Sequence, residues 1–448
     1  MGAGKSTLGE KAARLSGRPF VDLDREIERR HAPVAELFER GEPEFRRLEA
    51  ELAAEVLSSP VPAVIALGGG AVLSERTRDL LRSRAYTVRV EVDPASAWER
   101  VRRSDRPLAR DEEAFRALFD ERQPLYDDVS SASVRSVDDV LLAALEIEVA
   151  RGRLAGFDVA GPVAVIADEH VLELHPLGFE PNQVHAVPRG EAAKTASVLA
   201  QLWSDLDLDR SGTIVGYGGG STTDVAGLAA ATYLRGVRWL AVPTTLLGQV
   251  DAAIGGKTAI DLAAGKNLVG AFHYPAGVVV DPDILATLSE TERREGMAEV
   301  VKAGLLAGRP FWELGEDELI RGAAAFKAGV CLGDPFDRGR RAILNLGHTF
   351  AHALEAAAGY DGLSHGSAVA LGLLAALRLS GRSTDTVEEV LAPRPVPVDR
   401  NRAWAALQRD KKSEHGELRL VLLDDDGPVV AARPEAEVRT ALNELIAD

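Results

Sequence analysis

Residues 212–224, GTIVGYGGGSTTD, decide the fold. An apolar run from Thr213 to Tyr217 enters three glycines, Gly218 to Gly220, and leaves into Ser/Thr-rich and then Ala-rich sequence containing Asp224. That order reads as a buried strand, a tight turn and a helix. In an α/β fold, glycines at such a turn let backbone amides approach a dinucleotide pyrophosphate. A plain strand–helix connection would use the same letters, so the turn alone does not assign a cofactor.

Two more apolar strands, PVAVIAD (162–168) and GVVVDPD (277–283), place an α/β part of nucleotide-binding type at 161–288. From Ser289 the pattern turns helical, with one late strand at ELRLVLL (417–423), giving a mostly α-helical part at 289–448. Before residue 150, RPFVDLD (18–24), VPAVIALGGG (61–70) and YTVRVEV (86–92) alternate with helical stretches, one of them running from Arg25 to Leu57. This predicts a separate parallel-sheet domain at 1–150. The Gly-containing segment 151–160 is read as a linker.

Composition narrows the function. The 448 residues carry a net charge of −17, which excludes nucleic acid and anionic membrane as partners. No apolar run approaches a membrane span and no signal-peptide pattern is present. A single cysteine, Cys331, excludes a disulfide framework, so a globular cytoplasmic enzyme is expected. Of the 52 basic residues only Lys5, Lys11, Lys194, Lys257, Lys266, Lys302, Lys327, Lys411 and Lys412 are lysine. A chain that otherwise uses arginine keeps lysine where a compact ammonium is needed.

The opening MGAGKST admits three readings: a surface tail, an N-myristoylation pattern on Gly2 and Ser6, or the closing half of a phosphate loop. In the third, Gly2, Gly4, Lys5, Ser6 and Thr7 hold nucleotide phosphates and Mg²⁺. Downstream come Asp22 and Asp24 on one side of a strand end, Arg46 in EFRRLE, Gly68–Gly70, the arginines of RSDRPLAR, and Arg122 in ERQPLY. Features in this order resemble shikimate kinase over residues 1–150. The resemblance implies ATP and Mg²⁺, with Ser6 and Asp22 at the metal. It puts Asp24, Arg46, Gly69, Gly70 and Arg122 around shikimate, and makes Lys5, Asp24 and the lid residue Arg106 catalytic. The kinase sheet is expected to lack its first strand. This is read as a start site upstream of Met1, the alternative being a truncated, inactive kinase domain.

The second half supplies a metal set. EGMAEVVKAG puts Glu299 and Lys302 on one helical face, LNLGHTFAHALE does the same for His348 and His352, and His365 opens another helix. Three of the nine histidines within eighteen residues, with a helical acid, have the composition of a catalytic Zn²⁺ site. Core histidines and a simple Glu299–Lys302 pair are the bland counterparts. Two glycine-flanked lysines, Lys257 and Lys266, are placed in loops as anion contacts.

These motifs resemble 3-dehydroquinate synthase from about Asp168 to Leu423. The resemblance implies Glu299, His348 and His365 as ligands of Zn²⁺ or Co²⁺. It places NAD on Asp168, Glu191, Lys194, Gly219, Gly220, Asp224, Thr244, Thr245 and Lys266. Around the substrate, the phosphorylated keto acid DAHP, it puts Asp251, Lys257, Asn267, Lys302, Lys327, Arg341, Asn345, His352 and Lys412. Lys257, Lys302, Asn345 and His352 are its catalytic set. Arg235 would reach a neighbouring subunit's site, implying a homodimer. Departures are Ala351 for the usual glycine, Ser367 for the usual glutamate, and an apparently missing first strand before Glu191. The combined expectation is a bifunctional shikimate-pathway enzyme. The rivals are a synthase or related sugar-phosphate cyclase with an inactive kinase domain, a polyol dehydrogenase, and a first domain that only binds.

Overall fold

The structure, a computed structural model, describes residues 2–102, 111–359, 362–410 and 417–447. Arg106, Lys411 and Lys412 lie outside the described residues. The chain divides into two compact units, Met1–Leu145 and Glu146–Asp448.

The first unit runs α1 (Lys5–Ser16), β1 (Phe20–Asp22), α2 (Leu23–Arg30), α3 (Val34–Arg40), α4 (Glu42–Leu57), β2 (Val64–Ala66), α5 (Glu75–Arg84), β3 (Val88–Val90), α6 (Pro94–Val101), α7 (Glu112–Val129), β4 (Ala132–Val134) and α8 (Val137–Ala143). β1 pairs with β2 and β3 with β4, both in parallel. Among the described residues no strand joins the pairs. Each of the four strands has one ladder partner among the described residues, and β2 and β3 face a shared space. A cavity of about 690 Å³ lies there, lined by Leu67–Gly69 and by Thr87–Asp93.

Two local expectations are corrected. The strand ends at Asp22, whose carboxylate accepts the Arg25 N–H at 3.2 Å and caps α2. Asp24 therefore sits in the first helical turn and not on the strand. The charged stretch from Arg25 to Leu57 is three helices, interrupted at Pro33 and at Gly41, whose φ of 140° belongs to neither neighbour.

The second unit begins with β5 (Ile147–Val149), β6 (Val163–Asp168), α9 (Glu169–Leu174), β7 (Gln183–Val187), α10 (Ala196–Asp205), β8 (Thr213–Gly218), α11 (Gly220–Thr232), β9 (Arg238–Pro243), β10 (Lys257–Leu262), β11 (Gly265–Phe272) and β12 (Val278–Val280). Six strands form one parallel sheet in the order β5-β12-β9-β8-β6-β7. Every residue of β6 and β8 is buried, which is why both read as unbroken apolar runs. The strand order reverses between β6 and β8, so the crevice at their carboxyl ends opens beside Asp168 and Gly218.

The edge strand β5 falls inside the 1–150 span expected for the first domain, yet it pairs with β12 in the sheet of the second unit, ahead of β6. Segment 151–160 is likewise no free linker. The buried Asp281 carboxylate accepts the Gly152 and Leu154 N–H groups, and Phe157 and Val159 are buried.

The remainder is α12 (Glu290–Ala307), α13 (Glu316–Gly333), α14 (His348–Ala357), α15 (His365–Leu379), α16 (Asp385–Leu391), α17 (Arg400–Asp410), the hairpin β13 (Glu417–Asp424) and β14 (Gly427–Pro434), and α18 (Glu435–Asn443). α15 is apolar on nearly all faces because α12, α14, α18 and β13 pack around it. At the α14–α15 crossing, a Cβ on Gly372 would lie 2.1 Å from the Gly347 carbonyl oxygen. Gly347 itself has φ of 78°. The start of α14, which carries His348, is therefore held against the middle of α15 at a separation that only glycine permits.

Gly372→Ala is expected to destabilise the protein by about 1–3 kcal/mol through overpacking. Denaturant unfolding measures this, and an unchanged midpoint would show that the close approach is dispensable.

Candidate functional site

In the second unit a cavity of about 1120 Å³ opens at the carboxyl ends of β6, β8 and β9. Asp168 ends β6 and caps α9, accepting the His170 N–H at 2.9 Å. Gly219 links β8 to α11 and Gly220 opens that helix, and Thr244 and Thr245 follow β9. Opposite them Lys194, only 4% exposed, donates to Asp224 at 2.7 Å and to the Asn267 side chain. Burial raises the Asp224 carboxyl to about 6 even against this ammonium. Glu191 accepts from Ser221 at 3.2 Å and faces Lys266 at 4.0 Å. All these residues line the cavity, so the expected NAD set is brought together.

Lys257 and Lys266 are not in loops. They open β10 and β11, the two strands of an antiparallel hairpin. Asn267 takes φ of 56°, and its N–H reaches Asp261 at 2.7 Å.

The metal set converges where α12, α14 and α15 meet. One ligand atom each from Glu299, His348 and His365 lies within 4.8 Å of the others. Glu299 is 2% exposed, and both imidazole Nε2 atoms stand 3.5 Å from its Oε1. That oxygen has no hydrogen-bond partner among the described residues. Burial pushes the Glu299 carboxyl up, but Lys302 and the two imidazoles hold it well below the usual range. Burial and Lys302 keep His348 neutral, the form that offers a lone pair. Against the pull of burial, Glu299 and Glu355 raise His365 to about 10, so a metal ion binding there would displace its Nε2 proton. A carboxylate and two imidazoles with an orphaned buried oxygen fit a tetrahedral divalent ion with one open position.

Around this centre Lys302 pairs with Glu299, and Lys327 donates to the Asp251 carbonyl at 2.6 Å while lying 2.8 Å from its carboxylate. Lys257 pairs with Asp337, and buried Arg341 donates to the Gly255 carbonyl at 2.8 Å. Asn345 closes the turn before α14, and His352 lies one turn beyond His348, their rings 5.5 Å apart. Arg235 does not join the cavity. It precedes β9, at the opposite end of the sheet from Thr244.

The first unit gathers a second cluster. Arg46 donates to buried Glu49 at 2.6 Å and stacks on Phe45, 5.2 Å from its ring centroid. A Cβ on Gly70 would strike the Arg46 guanidinium, and one on Gly68 would strike Glu49 and Asp24. Arg122 is 3% exposed, with its Nε unpartnered among the described residues. Tyr126 donates to the Gly69 carbonyl at 2.7 Å. Lys5 begins α1 and lines the neighbouring cavity with Gly68 and Gly69, while Ser6 and Thr7 follow in the first turn behind Gly4.

Residues 1–146 match the shikimate kinase family, 184–295 the N-terminal and 296–413 the C-terminal domain of 3-dehydroquinate synthase. The bifunctional shikimate kinase/3-dehydroquinate synthase of Thermotoga maritima is 33% identical over 92% of both chains. This chain belongs to that family. It is a bifunctional enzyme of the shikimate pathway, and its substrates are small molecules. The 3-dehydroquinate synthase of Bordetella pertussis is 39% identical over 66% of this chain and 95% of its own. For the fold, the second unit resembles a 2-deoxy-scyllo-inosose synthase solved with carbaglucose-6-phosphate, NAD⁺ and Co²⁺. The two are 24% identical with a TM-score of 0.58, over 66% of this chain and 96% of that one. No described helix is long and apolar enough to cross a membrane.

Sequence reading of this bifunctional chain missed Glu49 and Glu355, which contact Arg46 and His365, and Glu295, which accepts the Gly366 N–H beside His365. Glu355 lies three residues after His352 on the same helical face, a signal that was present in LNLGHTFAHALE and passed over.

Proposed function

We propose that the second unit converts DAHP to 3-dehydroquinate and phosphate, and that the first transfers a phosphoryl group from ATP to shikimate with Mg²⁺. The observation that carries the synthase reading is the convergence of Glu299, His348 and His365 beside Lys302, where His365 reaches the NAD-sized cavity. When bound, Zn²⁺ or Co²⁺ held by Glu299, His348 and His365 would supply a Lewis acid for a substrate hydroxyl, and NAD would supply a hydride acceptor and donor.

The protein's own residues position and neutralise charge. Gly219, Gly220, Thr244 and Thr245 present backbone and hydroxyl groups to the dinucleotide, and Asp168, Glu191, Lys194, Asp224 and Lys266 line the same crevice. Lys257, Lys302, Lys327 and Arg341 gather the phosphate and carboxylate of the substrate, with Asp251, Asn267, Asn345 and His352 orienting its hydroxyls. Lys257, Lys302 and Lys327 each already have an acidic residue as partner, so an anionic ligand meets cations held in place. A polyol substrate would give these four cations nothing to bind.

In the first unit, Asp24 takes up the shikimate hydroxyl proton. Arg46 and Arg122 grip its carboxylate over Gly69 and Gly70, and Lys5 reaches the transferred phosphoryl group. Ser6 and Asp22, which keeps its helix-cap role, would hold Mg²⁺, which would neutralise charge on the transferred phosphoryl group. Arg235, remote from its own cavity, serves a second copy in a cytoplasmic homodimer.

Lys302→Met should lower dehydroquinate formation by at least about 10²-fold and leave shikimate phosphorylation intact. Asp24→Asn should do the reverse, also by about 10²-fold. Separate steady-state assays of the two reactions on each variant test this. Loss of both activities in either variant contradicts the division of labour. Mixing Arg235→Ala with Lys302→Met chains should recover about a quarter of the synthase sites if the arginine acts across a dimer. No recovery after subunit exchange contradicts that.

A further inference from the structure

We propose that Glu355 is a positioning residue that fixes the ligand face of His365. The inference rests on the metal reading above and extends it to the layer of side chains behind the ligands.

The two imidazoles are held in parallel ways. His348 turns Nε2 to Glu299 and rests Nδ1 against the Leu346 carbonyl oxygen at 3.3 Å. His365 also turns Nε2 to Glu299, and its Nδ1 faces Glu355 Oε1 at 3.4 Å. In each ring one nitrogen meets an oxygen acceptor and the other points into the centre. An acceptor at Nδ1 keeps the proton there and leaves the Nε2 lone pair for the metal. For His348 the acceptor is backbone, which no substitution removes. For His365 it is a side chain, so this half of the device can be tested.

Burial makes the same point. Glu355 is 4% exposed, and an unpartnered carboxylate is costly in such a place. Burial pushes its carboxyl up, but His365 holds it below the ordinary value. The backbone of His365 is clamped as well. Glu295 of α12 accepts the Ser364 hydroxyl and the Gly366 N–H at 2.5 Å each, on either side of the histidine. With the main chain fixed by Glu295, the ring retains rotation about its side-chain bonds, and Glu355 stops that rotation.

The test is Zn²⁺ affinity of the full chain, measured by competition with a chromogenic chelator, for wild type, Glu355→Gln and Glu355→Leu. Glutamine keeps an oxygen acceptor for Nδ1–H, and leucine keeps only the volume. We expect leucine to weaken zinc binding by about 10–100-fold and glutamine to stay close to wild type. Equal affinity in the leucine variant overturns the proposal. So does an equal loss in both, which would assign the effect to charge and not to the acceptor. A wild-type chain that takes up no zinc overturns the metal reading together with this one. If the leucine variant fails to unfold cooperatively, histidine ¹⁵N spectra of the wild-type zinc protein decide. A proton on Nδ1 of His365 supports the proposal, and one on Nε2 overturns it.

Discussion

The second unit depends on one buried negative charge. Glu299 lies in the middle of α12, 2% exposed, with an ammonium on one oxygen and two imidazoles facing the other. A lone carboxylate in that place would be costly, and a carboxylate with Lys302 alone would leave its second oxygen unsatisfied. A divalent ion completes the balance. Much of the helical part serves this arrangement, because α14 and α15 must bring His348 and His365 to the same oxygen. Their close crossing at Gly347 and Gly372 makes that geometry possible.

The α/β part solves a different problem, that of binding a large ligand with a doubly negative pyrophosphate without much net positive charge. The switch in strand order between β6 and β8 opens a crevice where helix starts and glycine turns supply donors. Its cations are used sparingly and are mostly paired, as Lys194 is with Asp224. In a chain of net charge −17 this keeps positive potential local to the sites.

Sequence reading succeeded where a residue type and a period carried the chemistry. Glu299 with Lys302, and His348 with His352, were readable because helical spacing puts such pairs on one face. The strand–glycine–helix of 212–224 was readable because apolar run, turn and helix are contiguous. What escaped depended on contacts distant in sequence. Asp24 looked like a strand residue until the Asp22 cap ended the strand two residues earlier. Lys257 and Lys266 looked like loop residues because glycines flank them, yet β10 and β11 pair across them. The edge strand β5 is three residues long and is recognisable only by its partner β12. The acids behind the ligands, Glu295 and Glu355, resemble solvated helix residues until α15 packs over them.

The chemistry of the second unit rests on the donor set at Glu299. X-ray absorption at the zinc edge of the loaded full chain tests it directly. The predicted result is one zinc per chain with two imidazoles at about 2.0–2.1 Å and oxygen in the remaining positions. A centre with no imidazole scattering, or with more than two histidines, would contradict it.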